Sequence, residues 1–297
     1  MRPTETPHAQ FHSLDQYPAC EMARAFIGEQ QAAVSAVLAV HQDIAAAVAA
    51  ALPRIKAGGR LLYVGAGTSG RLAVLDGAEL NPTFSWPKER ALGVLAGGRD
   101  AMFEAIEGAE DSVEDGKADL QACGVNRHDV VLLLSASGNT PYVMGALEVA
   151  RACGALSIGI ANNPGAVLAR EADRGIVLDT GAEVISGSTR LKAGTAQKIF
   201  LNTFSSMLMV MLHKVYGNLM VDVRPTNAKL VARTVALTRL ATGVDEARAR
   251  ATLEACGHSV KLAILMIRKA LDAGPARSLL LQNDDNLRAA LGEAAAR

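Results

Sequence analysis

The stretch Leu61-Leu62-Tyr63-Val64-Gly65-Ala66-Gly67-Thr68-Ser69-Gly70-Arg71 decides how the rest of the chain reads. Four apolar residues in a row, ended by glycine, predict a strand buried on both faces. The glycine-rich turn then opens a helical segment over 71–79, and backbone N–H groups at such a helix start favour an anion. The same alternation recurs downstream. Leu92-Gly93-Val94-Leu95, Val130-Val131-Leu132-Leu133-Leu134, Leu156-Ser157-Ile158-Gly159-Ile160 and Gly175-Ile176-Val177-Leu178 read as four further strands. Largely helical text over 101–122, with an irregularity expected at Gly108, and helical text over 140–153 lie between them, and a long helix, apolar nearly all round, is expected over 194–216. Strands that are apolar throughout and alternate with helices predict an α/β fold, a parallel sheet covered by helices on both faces.

Upstream of the sheet, residues 1–18 are polar and irregular, with Pro3, Pro7 and Pro18. Residues 21–55 read as helix, with Val34, Val37, Ile44 and Val48 at helical spacing. Downstream of 218 the strand-like runs stop. Short amphipathic helices are expected over 230–240, 246–255 and 260–271, followed by a last short one. The expected organisation is an N-terminal arm and helix (1–53), a sheet domain (54–217) and a C-terminal helical domain (218–297).

Composition narrows the function. The 297 residues carry 30 Lys+Arg against 30 Asp+Glu, and this neutral balance argues against a nucleic-acid partner. The four cysteines, Cys20, Cys123, Cys153 and Cys256, lie far apart with no C-x-x-C pair, so reduced thiols are expected rather than zinc or disulfides. No histidine spacing suggests a metal, and none is expected. No apolar segment follows Met1-Arg2-Pro3-Thr4-Glu5, and the greasiest run, 207–212, is too short for a bilayer. A soluble cytoplasmic protein without membrane contact is the expectation.

The chemistry is expected in the loops that follow the strands. Gly65–Gly70 satisfies G-x-G-x-x-G, which raises a nicotinamide dinucleotide. That cofactor wants a carboxylate where the second strand ends, and Leu95-Ala96-Gly97-Gly98 offers none before Asp100. A phosphorylated small molecule suits Gly67, Thr68, Ser69 and Arg71 better. The loop Ser135-Ala136-Ser137-Gly138-Asn139-Thr140 points the same way: hydroxyls and N–H groups at a helix start suit a phosphate monoester without any lysine. N-capping by Thr140 accounts for part of this loop but not for Ser135 and Ser137. Two such loops at the carboxyl ends of parallel strands converge on one crevice. A third cluster, over 181–195, is dense in hydroxyls and positive charge, and contributes Ser186, Ser188 and Lys192 as candidates. Glu79 and Glu110 stand out only by position, and a solvated helix surface would explain either one alone.

Together, Gly65–Arg71, Ala78-Glu79 with Pro82-Thr83, Glu107-Gly108-Ala109-Glu110-Asp111, Ser135–Tyr142 and Gly181–Lys198 resemble the N-acetylmuramic acid 6-phosphate etherases of the sugar isomerase (SIS) superfamily. The stretch from Gly181 to Lys198 also resembles the signature shared with glucokinase regulatory proteins. The similarity runs from about Glu21 into the C-terminal helices. It implies a SIS-type sheet sandwiched by helices, a small C-terminal helical domain (three-helix, UBA-like), a homodimer, and no cofactor. It also implies a carbon–oxygen lyase that cleaves the D-lactyl ether of N-acetylmuramic acid 6-phosphate to N-acetylglucosamine 6-phosphate and D-lactate, in cell-wall amino sugar recycling. The family's catalytic acid matches Glu79 and its second carboxylate Glu110. Such a pair would need different protonation states at one pH, with burial and mutual repulsion raising one pKa. The text departs from the family at Leu80-Asn81-Pro82, where members commonly have Cys-Pro-Pro, at Asn139, where Arg is frequent, and at Thr6-Pro7-His8 after the shared Thr4-Glu5. These departures bear on the substrate pocket and the N-terminal arm. A phosphosugar isomerase would also use a base near C2, and a non-catalytic phosphosugar-sensing regulator would need no carboxylate pair.

Overall fold

The computed structural model describes residues 2–225 and 227–294. It divides into two compact units, Met1–Ala78 with Lys88–Ser206, and Glu79–Pro87 with Met207–Arg297.

The first unit is an α/β sandwich. Its strands are β1 (Leu61–Gly65), β2 (Ala91–Leu95), β3 (Val130–Leu134), β4 (Leu156–Ala161) and β5 (Arg174–Val177). They form one parallel sheet in the order β2-β1-β3-β4-β5. Every residue of β1, β3 and β4 is buried, which is why these strands are apolar throughout rather than alternating. One face carries Leu62, Val64, Val131 and Leu133 against Tyr142, Val143, Ala146 and Ala150 of α5 (Pro141–Ala152). Beside it, α4 (Val113–Ala122) approaches so closely that a Cβ on Gly116 would stand 1.9 Å from the Tyr142 carbonyl oxygen. The other face is covered in part by α2 (His41–Lys56), which packs on β3, β4 and β5. Also in the first unit, Asp76 of α3 (Gly67–Phe84) accepts hydrogen bonds from Tyr63 Oη (3.1 Å) and from Asn202 and Ser205 of α7 (Lys192–Met211). Burial pushes the Tyr63 phenol well up, with Asp76 adding to it, so Tyr63 stays a donor.

Asp129, fully buried just before β3, accepts from the backbone and guanidinium of Arg60 and from Asn126. Burial pushes its carboxyl up, but the Arg60 and Asn126 donors outweigh burial and leave it below the usual carboxylate value.

Several elements differ from the sequence reading. A short helix, α6 (Val167–Glu171), stands between β4 and β5 where none is expected, and the single last helix expected after 271 is two, Ala273–Gln282 and Leu287–Leu291. The helix expected over 21–55 is two helices, α1 (Ala19–Ala39) and α2, bent by 54° at Val40. Much of the helix expected over 101–122 is instead two single 3₁₀ turns, Asp100–Met102 and Ala109–Asp111, ahead of α4. Gly108, at φ +73°, turns the chain between them in a conformation that favours glycine. After α7 there is a short antiparallel hairpin, β6 (Val215–Tyr216) with β7 (Leu219–Met220), that the sequence reading did not anticipate.

The second unit is otherwise helical: α8 (Ala228–Thr242), α9 (Glu246–Ala255), α10 (Val260–Lys269), α11 (Ala273–Gln282) and α12 (Leu287–Leu291). Its own core is centred on α10, with Val260, Leu262, Ala263, Ile264 and Leu265 all buried. Side chains of Asn227, Asp245, Ser259 and Asn286 cap the N-termini of α8, α9, α10 and α12. Among the described residues no single helix is long and apolar enough to cross a membrane.

Candidate functional site

A cavity of about 380 Å³ opens in the first unit where β1 and β3 end. Its floor is built by two turns of one design. After β1, Ala66, Gly67, Thr68 and Ser69 line it; after β3, Leu134 through Ser137 and Asn139 through Pro141 do so. Each turn opens a helix, so α3 and α5 direct their free N–H groups and the positive ends of their dipoles at the same space. The first turn depends on its glycines. A Cβ on Gly70 would lie 2.4 Å from Leu95 Cδ1 and 2.6 Å from the Gly65 oxygen, and Gly67 takes φ +52°.

The second turn is a ring of hydroxyls. Ser135 Oγ lies 2.7 Å from Thr140 Oγ1 and 3.1 Å from Ser137 Oγ, and accepts from the Gly138 N–H at 2.9 Å. These groups are neutral donors that can re-aim their hydrogens toward an anion. The wall carries carboxylates: Glu110 and Asp111, from the 3₁₀ turn before α4, and Glu5.

Of the residues proposed from sequence, the structure gathers Gly67, Thr68, Ser69, Ser135, Ser137, Asn139, Thr140 and Glu110 around this cavity. It employs others elsewhere. Arg71 donates to the carbonyls of Ala101 (2.7 Å) and Glu104 (2.9 Å), tying α3 to the loop after β2. Gly138 is packed away: a Cβ there would lie 2.3 Å from that of Ala166. Lys192 is buried, with Nζ 2.5 Å from Glu29 Oε2 of α1, so its charge is matched inside the fold rather than offered to a ligand. Beside it the buried Glu183 accepts from the N–H groups of Lys192 and Ala193 and caps α7. Burial pushes the Glu183 carboxyl up, against the pull of those two N–H groups. Ser186 donates to the Glu5 carbonyl at 3.0 Å, and Ser188 is not among the lining residues. Thr189 alone of the third cluster reaches the cavity wall. Glu79 is exposed in the last turns of α3 and is not among the lining residues either. Neither Glu79 nor Glu110 is buried, so a lone chain does not make the dry surroundings expected around one of them.

Sequence reasoning missed the N-terminal arm. Arg2 and Glu5 line the cavity. Between them Thr4 is fully buried: its N–H and Oγ1 both donate to Asn163 Oδ1 at 3.2 Å, and Asn163 Nδ2 donates back to Oγ1 at 3.0 Å. The Thr4 carbonyl accepts from the Gly187 N–H at 3.1 Å. Asn163 Nδ2 also donates to the Ala136 carbonyl at 2.8 Å, so one amide holds both the arm and the hydroxyl turn. The retained pair Thr4-Glu5 was the available signal. Among the described residues no group of three or more His, Cys, Asp or Glu side chains is placed to hold a metal ion.

Comparisons with known proteins converge on these same segments. Residues 43–151 match the family model of the glucokinase regulatory protein N-terminal SIS domain, and residues 103–207 match that of the SIS domain. An N-acetylmuramic acid 6-phosphate etherase of Deinococcus radiodurans is 52% identical over 292 residues, covering 98% of this chain and 96% of the relative. Proteins of the same name from Streptomyces avermitilis (47% identical, 98% and 94% covered) and Cronobacter sakazakii (46%, 97% and 97%) are similar along their whole lengths. A solved Escherichia coli protein spans 68% of this chain and 97% of its own at 16% identity, with a TM-score of 0.49.

Proposed function

The chain belongs to the N-acetylmuramic acid 6-phosphate etherase family, and from that premise we propose how its cavity cleaves the lactyl ether. The 6-phosphate rests on the hydroxyl ring of Ser135, Ser137 and Thr140 and on the N-termini of α3 and α5, which supply donors without a lysine. Anchored there, the opened sugar presents its carbon chain to the carboxylate wall. The C1 aldehyde acidifies the hydrogen on C2. Glu110 removes that proton, the electron pair forms the C2–C3 double bond, and the C3–O bond to lactate breaks. An alkoxide is a poor leaving group, so a carboxylic acid must protonate the lactate oxygen as it departs. Glu79 is our candidate for that acid. Its carboxylate then activates water, which adds at C3 while a proton returns to C2. The products are N-acetylglucosamine 6-phosphate and D-lactate.

The observation that carries this reading is the meeting of neutral phosphate donors and Glu110 in one cavity. Glu79 is exposed outside the lining, four residues after Leu75, which is itself 44% exposed on α3. We place this helix face against a second copy of the chain, which brings Glu79 to the partner's reaction. Release of D-lactate from N-acetylmuramic acid 6-phosphate tests the function. Interconversion of aldose and ketose phosphates instead would reassign the protein as an isomerase, and tight binding without turnover as a sensor. Glu79→Gln should abolish lactate release while leaving phosphosugar binding intact. Mixing inactive Glu79→Gln and Glu110→Gln chains in equal amounts should restore about a quarter of the wild-type rate, since half of the symmetric dimers are mixed and each holds one intact site. If no activity returns on mixing, the second-copy placement of Glu79 is wrong.

A further inference from the structure

Among the described residues lining the cavity, one side chain is positively charged, Arg2, against the three carboxylates Glu5, Glu110 and Asp111. That imbalance is unexpected for a site whose ligand is itself an anion. The hydroxyl turns and helix ends answer the phosphate, but they are neutral groups fixed at the floor. The etherase substrate has a second anionic end, the carboxylate of its lactyl group, and this end must enter a space bounded by acids. Without a cation it would be repelled by the groups meant to act on the neighbouring carbons.

The arm that carries Arg2 is docked by hydrogen bonds to Asn163, Ser186 and Gly187. Thr4 is buried completely and fastened through Asn163 and Gly187. The adjoining Glu5 carbonyl is held by Ser186. The anchors are at Thr4 and Glu5, while the Arg2 side chain is exposed and forms no ion pair among the described residues. Arg2 thus stands in the cavity wall with its guanidinium donors uncommitted. A guanidinium presents paired N–H groups matched to the two oxygens of a carboxylate.

We propose that Arg2 binds the lactyl carboxylate and so selects the ether-bearing phosphosugar over phosphosugars that lack it. The proposal rests on the etherase reading and adds to it the residue that recognises the leaving group. Arg2 is a specificity-determining residue here and takes no part in proton transfer.

The test compares two ligands that differ in the lactyl group alone. Arg2→Gln should raise KM for N-acetylmuramic acid 6-phosphate roughly 10- to 100-fold, the range of one lost charge-assisted hydrogen-bonded pair. Competitive inhibition by N-acetylglucosamine 6-phosphate should be unchanged. Arg2→Lys should recover part of the KM, which a purely structural role of the arm would not produce. An unmoved KM, or an equal loss of affinity for both ligands, overturns the assignment of Arg2 to the lactyl carboxylate. Lactate release by the wild-type protein is measured in the same series. If the wild type releases none, the etherase reading itself fails; if it does and Arg2→Gln behaves like it, only the role of Arg2 fails.

Discussion

Replacing Thr4 with valine removes one oxygen and keeps the shape of a fully buried side chain. The lost atom donates to Asn163 Oδ1 and accepts from Asn163 Nδ2. The Thr4 N–H and carbonyl keep their partners, and Asn163 Nδ2 keeps the Ala136 carbonyl. Two neutral hydrogen bonds at a net of about 0.5–1 kcal/mol each put the loss at about 1–2 kcal/mol. Five hydrogen bonds tie Thr4 and Glu5 to Asn163, Ser186 and Gly187. At about 1 kcal/mol each they contribute about 5 kcal/mol, close to the entropy of ordering three or four residues at about 1–2 kcal/mol apiece. The arm is therefore marginally docked, and the loss passes almost wholly into its occupancy, a factor of about 5–30. Thr4→Val should lower kcat/KM for lactate release by up to about that factor, since apparent affinity scales with the competent fraction. The melting temperature should hardly move, because the arm can leave while the sheet stays folded. Limited proteolysis should cut the variant ahead of α1 faster than the wild type. A lowered melting temperature with unchanged kcat/KM would show that the arm is structural packing and refute its place in the site.

Two further outcomes test the fold around the cavity. Gly116→Ala drives a methyl against the Tyr142 carbonyl and must part α4 from α5, so it should cost about 1–3 kcal/mol or more and lower the melting temperature; an unchanged melt would contradict the close approach of the two helices. Asp129 has a folded-state pKa below its ordinary value of 3.8, so its stabilising effect is complete above that value and is lost as pH falls through the lowered one. Urea unfolding should show Asp129→Asn losing stability near neutral pH, with the gap to wild type closing in strong acid; a gap that widens on acidification would reverse the sign assigned here.

The sheet was legible because strands buried on both faces write themselves as uninterrupted apolar runs, and β3 was read to the residue. The hydroxyl turns were legible because they follow those runs directly. Side-chain direction was not. Lys192 and Arg71 belong to a cationic, ligand-like text, but Glu29, far away in sequence, and the carbonyls of Ala101 and Glu104 absorb their donors. The bend at Val40 has no glycine or proline to announce it. The 103–112 segment is rich in alanine and glutamate and reads as helix by propensity, yet Gly108 turns it aside, and the turn after it presents Glu110. The arm gave no period at all, since a segment held by one buried threonine and one asparagine has no repeating pattern to display. The Glu79–Glu110 pairing came from family resemblance, and spacing would not have chosen it.

Asn163 has a consequence for how the protein is made. It lies 159 residues beyond Thr4, and Gly187 lies later still. Thr4 is synthesised well before Asn163 and Gly187, so it waits for its seat until most of the sheet has been made and has closed. During that interval an incomplete chain holds the hydroxyl turn after β3 with the seat of Thr4 still vacant, so the arm joins the cavity wall only after the floor has formed.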